Sequence, residues 1–383
     1  MSEATGKKAK RPRPSPKAGS QHPLAEGVKA YATMDDVAIA AGVHPTTVSM
    51  ALRAHPSIPP ATRERILVEA RRIGYVRDPL LDAFNFHRLR KLAAKQAPSI
   101  AFVVDANASA YFFGGSYHPL VYEGVKAVAE TLHLSVEIFP LGTREMTASR
   151  LNTIISSRGI SGVLLSTFTP ATQSIELDWD NYSAVKIESH HLLPQLDVVS
   201  SDQCQAARLC MRRLREIGYR RIGLATARDD ESRLQDNFSS GVLVEQAELP
   251  ESECVPPLLF DRADIGTVAA RVVEWMKEHS VDAVMSNWHE LISPPRAGES
   301  ATLATTSVRI PQDVAFASLD VSTESQHVAG IVQNHRLVGM RAMEQLSILV
   351  KTYHRGAPEN PSATYVPGFW RDGPTVPRKS RRF

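Results

Sequence analysis

Residues 33–75 read TMDDVAIAAGVHPTTVSMALRAHPSIPPATRERILVEARRIGY, and this stretch decides the first part of the fold. Its opening, MDDVAIAA, carries apolar side chains at helical spacing, and Gly42 begins a turn that interrupts them. Pro45 then stands at the first position of a second helix, where its missing N–H costs nothing. A third amphipathic helix follows, with an apolar face formed by Ile66, Leu67, Ala70 and Ile73. The stretch therefore predicts three short helices, with a tight turn between the first two.

Two short helices packed across a tight turn form a helix-turn-helix, whose second helix fits the major groove of DNA. The alternative is a small helical bundle without a DNA role. The order and spacing of DVAxxAGV, TVS, TRERI and the closing GY resemble the DNA-binding headpiece of the lactose/galactose repressor (LacI/GalR) family. Further landmarks of that family are DQCQAARLCMRRLREIGYRRIGLA (202–225), DVAFASLD (313–320), AGIVQNHRLVG (329–339) and GFWRDGPTVP (368–377). The chain looks most like a subgroup whose hinge reads DPLL, and this resemblance implies a DNA-binding transcriptional regulator.

The length and composition of the chain limit its class. With 383 residues it is too long for one compact core, and two or three domains are expected. No apolar run reaches the roughly 18 residues of a membrane span, and the N-terminus has no apolar signal core, so we expect a cytoplasmic protein that contacts no membrane. The sequence predicts no metal site, no disulfide and no cofactor, because no such pattern connects its cysteines, Cys204, Cys210 and Cys254.

The net charge of +3 conceals a strong asymmetry along the chain. Residues 1–95 hold 17 Lys or Arg against 8 Asp or Glu, whereas the remaining residues hold 27 against 33. A basic segment joined to an acidic body is what a phosphate-binding module tethered to a separate domain should show. A solvated basic tail explains the cations between Lys7 and Lys17 but not those of the third predicted helix.

Composition divides the chain into five segments. Residues 1–32 are rich in Pro, Lys, Ser and Gly and are predicted to be a disordered basic tail. The helix-turn-helix DNA-binding domain takes residues 33–76, and a hinge or linker follows at 77–98. Residues 99–377 are expected to form the effector-binding and dimerisation core, and 378–383 a second basic tail.

From Ser99 onward, short apolar strands alternate with amphipathic helices, the pattern of parallel sheets that are covered on both faces. The pattern is too long for one doubly wound sheet, so we expect two similar α/β lobes. The resemblance implies the same fold, a periplasmic-binding-protein-like core of two doubly wound parallel sheets, with crossings between lobes near 190–200, 320–330 and 333–340. The predicted strands are 99–106, 135–141, 162–167, 183–189, 221–226, 256–260, 282–287 and 314–320. The predicted helices are 117–133, 145–158, 202–217, 265–279 and 336–354.

The resemblance places the DNA-contacting side chains around the start of the second helix, whose N-terminal residues reach base edges. Groove contacts are expected from Pro45, Thr46 and Met50. Contacts to phosphate oxygens, which position the module without reading sequence, are expected from Thr33, His44, Thr47, Ser49 and Arg53.

Met50 departs from the family, which often has an arginine at this position. Arginine grips guanine through two hydrogen bonds, and such a pair is worth roughly 1–3 kcal/mol of discrimination. Methionine offers only an apolar contact, for instance to a thymine methyl group. The operator is therefore expected to differ from the common family pattern at that base.

The linker is the next functional candidate. In the family the matching segment folds into a hinge helix on DNA and inserts an apolar wedge into the minor groove. Leu80, Leu81 and Phe84 are the candidate wedge residues, which would unstack a base step and bend the site. Their spacing equally suits a short helix packed on the core, and the Asp-Pro start departs from the common hinge, so both interpretations stay open.

Ligands of open parallel sheets bind beyond the carboxyl ends of the strands. This rule nominates polar and aromatic residues that follow predicted strands or lie near a predicted crossing: Asp105, Tyr111, Phe113, Phe168, Asn287, Trp288, Asp320, Gln333 and Asn334. Amides and carboxylates would bind hydroxyl groups while aromatic faces cover C–H patches, so a sugar or sugar derivative is the expected effector. For each aromatic residue, the alternative is a place in the apolar core.

Two of these positions depart from the family. Trp288 stands where many members have an aspartate, and Phe238 stands where an effector-binding arginine is expected. Arg233, one turn earlier in the helix predicted from ESRLQDNFSSG, is the candidate substitute, and with Asp236 or Asn237 it would rebuild the polar floor. More aromatic wall and fewer charges favour a larger or less polar ligand than a simple hexose.

The sequence thus predicts a homodimeric repressor of a near-palindromic operator in double-stranded DNA, with an effector that closes the lobes and changes operator affinity. The alternative is a solute-binding protein of the periplasmic type, which shares the core but has no use for the helix-turn-helix. An enzyme is not expected, because the sequence has no G-x-S-x-G, P-loop or G-x-G-x-x-G motif. HELIS (289–293) lacks the second histidine of H-E-x-x-H, and His190 and His191 are interpreted as surface or cleft-rim residues.

Overall fold

The computed structural model describes residues 32, 34–52, 57–73, 75, 98–106, 117–261, 265–292, 303–321 and 327–379. The chain forms two compact units, which we call the head (Met1–Asn85) and the core (Phe86–Phe383). The division falls inside the predicted linker. Its residues 77–97, and with them the three candidate wedge residues, lie outside the described part of the chain.

The head contains the three predicted helices, α1 (Met34–Ala41), α2 (Pro45–Leu52) and α3 (Pro60–Arg72). Each contributes to a small apolar core that includes Val37, Val48 and Ile66, none of them exposed to solvent. In the turn between α1 and α2, Gly42 has a φ of +62°, a left-handed conformation that side chains other than glycine rarely adopt. The predicted helix-turn-helix is confirmed.

The core alternates strands and helices along the chain, as the sequence predicts. Its strands are β1 (Ser99–Asp105), β2 (Ser135–Leu141), β3 (Gly162–Leu165), β4 (Ser183–Ile187), β5 (Val198–Ser201), β6 (Ile222–Ala227), β7 (Leu258–Phe260), β8 (Ala283–Ser286), β9 (Ala315–Ser318), β10 (Ala329–Val332), β11 (Ala363–Val366) and β12 (Phe369–Arg371). Its helices are α4 (Tyr117–Thr131), α5 (Ala148–Ser157), α6 (Gln203–Ile217), α7 (Arg228–Leu234), α8 (Asn237–Gln246), α9 (Ile265–Glu278) and α10 (His335–Thr352). Short 3-10 turns lie at Trp179–Asn181, Glu251–Glu253, His289–Ile292 and Leu303–Thr305.

The strands of the described residues form two six-stranded sheets, one in each lobe. In the first lobe the order is β11-β5-β4-β3-β1-β2, and every pair is parallel. In the second lobe the order is β12-β10-β9-β8-β6-β7, and only β12 runs antiparallel to its neighbour β10. The predicted two-lobed α/β core is confirmed, with an antiparallel edge strand that the prediction did not include.

Each sheet buries both of its faces. In β1, Phe102 belongs to the apolar cluster under α4 and α10, whereas its neighbour Val103 belongs to the cluster under α5. In β6, Leu224 packs with residues of α6 and α8, and Ala225 packs with residues of α9. Burial on both faces explains why these strands read as nearly continuous apolar runs rather than as alternating ones.

The chain passes between the lobes at three places. It leaves the first lobe after β5, at residue 202, returns between β10 and α10, at 333–334, and leaves again between β11 and β12, at 367–368. The predicted crossing at 333–340 contains the second of these. The one predicted at 190–200 falls too early, because VVSS forms β5 in the first lobe, and the one predicted at 320–330 is wrong, because β9 and β10 pair within one sheet.

The segment ESRLQDNFSSG was expected to be one helix, and this prediction is also wrong. Gln235 and Asp236 both have positive φ, at 56° and 57°, and they separate α7 from α8. Because of this break, Arg233 near the end of α7 and Asn237 at the start of α8 do not belong to one continuous helix.

Among the described residues no helix is both long enough and apolar enough to cross a membrane.

Candidate nucleic-acid surface and interlobe cleft

The exposed start of α2 in the head is organised by His44. The backbone N–H of Thr46 donates to His44 Nδ1 at 3.3 Å, and Thr46 Oγ1 lies 3.0 Å from the same nitrogen. The His44 carbonyl oxygen accepts bonds from the amides of Thr47 and Val48. His44 is therefore the N-cap of α2, with its ring in the role that a serine hydroxyl usually has. Because Nδ1 accepts, the ring proton lies on Nε2, where it can be donated to a phosphate oxygen.

The other predicted DNA-contacting residues lie on or near the same helix. Thr46 is exposed, and Pro45, Thr47 and Ser49 are half-buried. Met50 is also half-buried and packs against the apolar core of the head, so only part of its side chain can reach a DNA groove. Thr33 and Arg53 lie outside the described residues.

In the core, the two lobes meet where their strands end, and we call this region the interlobe cleft. On the side of the first lobe, Asp105 at the end of β1 is buried, and its Oδ2 accepts bonds from the amide and the hydroxyl of Thr169, both at 3.0 Å. Glu188 follows β4 and is buried as well, with its Oε1 accepting the amide of Ser201 at 3.1 Å. The ends of β1 and β4, the two strands that flank β3, thus present two carboxylates to the cleft.

On the side of the second lobe, Asp230 in α7 organises three other residues. Its Oδ2 accepts bonds from the side-chain nitrogens of Asn287 at 2.8 Å and Trp288 at 3.0 Å, and its Oδ1 lies 3.4 Å from Arg233 Nη2. The ring of Trp288 also rests edge-on against Phe260, with centroids 5.3 Å apart. The interaction of one buried carboxylate with three donors fixes the positions of an amide, an indole and a guanidinium together.

Arg233 joins the two lobes. Its Nη1 donates to the Glu188 carbonyl oxygen at 3.0 Å and lies 3.4 Å from Glu188 Oε2. From the sequence, Asp236 or Asn237 is expected to accompany this arginine. The structure corrects that expectation, because the partners of Arg233 are Glu188 and Asp230 and the helix break separates it from Asn237.

Four histidines surround this contact. Burial, together with Arg233, lowers the pKa of His118 to about 4, so its ring is neutral near pH 7. Burial likewise lowers the pKa of His190 and His191. Burial also opposes the protonation of His335, but the Asp320 carboxylate 2.8 Å from its Nε2 outweighs this effect and raises the pKa.

The structure brings five of the predicted effector residues to the cleft: Asp105, Arg233, Asn287, Trp288 and Asp320. Phe168 does not join them, because it is 1% exposed and packs in the apolar cluster under α5. This is the place in the apolar core that was the alternative for each aromatic residue. Asn237 makes no hydrogen bond to this group among the described residues, and Tyr111 and Phe113 lie outside them.

Gln333 and Asn334 each donate a hydrogen bond to a backbone carbonyl group. Gln333 Nε2 donates to the carbonyl oxygen of Leu319 at 2.8 Å, and Asn334 Nδ2 donates to that of Pro367 at 2.7 Å. Their amides therefore tie the second crossing to β9 and to the third crossing.

Four residues of the cleft are not predicted from the sequence: His118, Glu188, Asp230 and His335. Glu188 could have been found, because it follows an apolar strand as Asp105 does. Asp230 stands three residues before Arg233 on one helix face, a spacing typical of ion pairs. Nothing in the sequence distinguishes the two histidines, which reach the cleft because α4 and α10 begin there. Within the described residues, no group of three or more His, Cys, Asp or Glu is arranged to hold a metal ion.

Comparison with known proteins gives matches for part of the head and for most of the chain. Residues 33–78 match the family model described as "Bacterial regulatory proteins, lacI family". The NTD biosynthesis operon regulator NtdR of Bacillus subtilis (strain 168) is 23% identical over 198 residues, which make up 50% of this chain and 54% of NtdR. The chain thus spans about half the length of this curated relative.

Two solved structures are similar over most of the chain. The complex of the transcriptional regulator CelR with cellobiose has a TM-score of 0.55 at 22% identity, covering 90% of this chain and 99% of that one. The lac repressor dimer bound to operator and the anti-inducer ONPF has a TM-score of 0.53 at 16% identity, covering 91% and 100%. At these identities the likeness shows the fold alone, a periplasmic-binding-protein-like core in a chain with a helix-turn-helix head. Residues 33–78 thus match the lacI family model, and most of the chain has the fold of these two solved structures.

Proposed function

We propose that this chain is a transcriptional repressor whose operator affinity is changed by a small-molecule effector bound in the interlobe cleft. The observation that carries the proposal is the combination, in one chain, of a capped and exposed recognition helix and a polar cleft between two parallel sheets. A solute-binding protein would need the cleft but not the capped helix of the head.

The DNA-binding role belongs to residues 33–76, with 77–98 as the hinge. Two copies paired through their cores would present two recognition helices to the half-sites of a near-palindrome. The similar lac repressor structure is described as a dimer bound to operator, which supports this arrangement. His44 Nε2 and the start of α2 would contact phosphates, while Thr46 and Met50 would face the bases.

The effector is a sugar or sugar derivative in this proposal. The cleft combines carboxylates, an amide and a guanidinium with the indole of Trp288, which Asp230 holds at 3.0 Å. Hydroxyl groups suit the polar side chains, and an aromatic face suits the C–H surface of a sugar ring. CelR, whose structure is similar, is described in complex with cellobiose, which supports a carbohydrate.

The DNA-binding proposal predicts the effect of replacing Met50 with arginine. We expect Met50→Arg to introduce a preference for guanine at one base pair of each half-site, by roughly 1–3 kcal/mol, because arginine can make the bidentate pair that methionine cannot. Met50→Leu, the matched apolar control, should keep the wild-type preference. Binding-site selection with the full-length variants, repeated over a salt series, measures both. Wild-type protein that prefers no oligonucleotide over scrambled competitor would contradict the proposal.

The effector proposal predicts that a carbohydrate raises the melting temperature of the full-length protein and changes its operator affinity. At a ligand concentration about 100-fold above Kd, the stabilisation is roughly 2.7 kcal/mol. Asp230→Asn should remove most of this gain, because it weakens the acceptor that holds Asn287, Trp288 and Arg233. Asp229→Asn, which changes an exposed carboxylate on the same helix, should retain it. If mono- and disaccharides neither stabilise the protein nor change operator binding, the carbohydrate assignment is wrong while the DNA-binding role stands.

A further inference from the structure

Arg233 of the second lobe is held by carboxylates of this chain on both sides of the cleft. Glu188 of the first lobe and Asp230 of the second each place a carboxylate oxygen 3.4 Å from the guanidinium. The side chains of both acids are 5% exposed, and that of Arg233 is 14% exposed. One guanidinium therefore faces two carboxylates in a region largely closed to water, where charges interact more strongly than in bulk solvent.

Glu188 is a fixed part of the first lobe. Its φ of 50° is left-handed, a conformation that a residue other than glycine keeps only when its surroundings hold it there. The amide of Ser201 donates to its Oε1 at 3.1 Å. Two residues earlier, the buried Lys186 donates from Nζ to the carbonyl oxygen of Leu192 at 2.7 Å and anchors the same segment. The Glu188 carboxylate is thus presented to Arg233 by a rigid backbone.

A further carboxylate lies near this pair, whereas His335, whose pKa is raised, is already paired with Asp320. Asp105 lies at the end of β1, and His118 beside it is neutral near pH 7, since burial holds its pKa at about 4. An anion that approaches Arg233 therefore has to displace Glu188 and to lie beside the Asp230 carboxylate.

We propose that Glu188 is a specificity-determining residue, which occupies Arg233 from the opposite lobe and thereby excludes phosphorylated and carboxylated effectors. Close like charges reject a wrong ligand more strongly than missing contacts do. Hydroxyl groups meet no such repulsion. That an effector binds in this cleft rests on the proposed function. The exclusion of anions from Arg233 does not, because it is a property of the cleft itself.

Inorganic phosphate is a suitable probe, because it requires no knowledge of the effector. The melting temperatures of full-length wild type, Glu188→Gln and Glu188→Asn are measured in a phosphate titration, against chloride at equal ionic strength. Both variants should bind phosphate about tenfold or more tightly than wild type, because they remove the carboxylate that occupies one side of the Arg233 guanidinium and repels an anion there. Asparagine tolerates the left-handed backbone, so Glu188→Asn separates the loss of charge from backbone strain.

Two controls distinguish this site from a general effect of phosphate, which stabilises folded proteins by exclusion from their surface. The double variant Glu188→Asn, Arg233→Gln should lose the gain, and Asp229→Asn should respond like wild type. The proposal is overturned if both Glu188 variants respond like wild type, or if the gain survives in the double variant. Two replacements of Glu188 are used so that a folding failure of one leaves the other to decide. Failure of the carbohydrate screen would leave this result unchanged.

Discussion

Gly339→Ala is expected to destabilise the first lobe more than any removal of a surface side chain. Gly339 on α10 and Gly124 on α4 lie where the two helices meet. A Cβ at Gly339 would overlap the carbonyl oxygen of Val121, and one at Gly124 would overlap that of Arg336. Both obstacles are backbone atoms, so no rotamer change relieves the overlap and the helices must separate.

The size of the effect follows from two opposing contributions. Alanine improves helix propensity over glycine by roughly 1 kcal/mol. Overpacking a core costs roughly 1–3 kcal/mol, and we expect the upper end or more, because α4 and α10 together cover one face of the first sheet. Unfolding of the full-length protein in urea measures the change. Ile348→Ala, which removes a large side chain that is 60% exposed on α10, is the control and should cost less than about 0.5 kcal/mol. Equal unfolding midpoints for Gly339→Ala and wild type would show that the helices are not in backbone contact.

Acidification from about pH 7.5 to about pH 5 is expected to destabilise the wild-type core through His118. The unfolded chain protonates this ring near its ordinary pKa of 6.5, whereas the native core protonates it only near a pKa of about 4. The contribution of the neutral His118 ring to the free energy of unfolding is therefore fully present above pH 6.5, and it is lost as the pH falls from 6.5 towards 4. Each pH unit in this window corresponds to about 1.4 kcal/mol, so the loss down to pH 5 is roughly 2 kcal/mol.

The variant His118→Gln isolates this contribution, because glutamine does not titrate. Its melting temperature should fall less than that of wild type between the two pH values, and the difference is the quantity to measure. The lowered pKa values of His190 and His191 act in the same direction as that of His118, whereas the raised pKa of His335 acts in the opposite direction. These contributions are common to both proteins and cancel in the comparison. Parallel pH profiles for wild type and His118→Gln would contradict the assignment.

Local sequence signals predicted the elements that are long, apolar or marked by turn residues. The helix-turn-helix was readable because Gly42, Pro45 and the apolar faces of α1 to α3 act within a few residues of each other. All eight predicted strands of the core are present, because burial on both faces leaves a continuous apolar run. The missed strands are short or lie at sheet edges. β5 ends in two serines, and β11 has exposed side chains, including Tyr365 at 46%.

The residues of the cleft were only partly predictable. The rule that ligands bind at strand ends selected Asp105, Asn287, Trp288 and Asp320, because that rule depends on the order of elements alone. It also selected Phe168, Gln333 and Asn334, which the structure uses in an apolar cluster and at two crossings. Whether a side chain at a strand end faces the cleft depends on packing behind it, which one sequence does not show.

The amino-acid sequence by itself determined the helix-turn-helix, the alternation of strands and helices, and the charge difference between the two parts of the chain. These properties depend on neighbouring residues and on composition. Only the tertiary structure decided where the chain crosses between the lobes, and only the tertiary structure brought Glu188 to Arg233. That contact joins residues 45 positions apart, from different lobes. It forms because the two sheets present their strand ends to each other. The spacing of residues along the sequence does not predict such a contact between lobes.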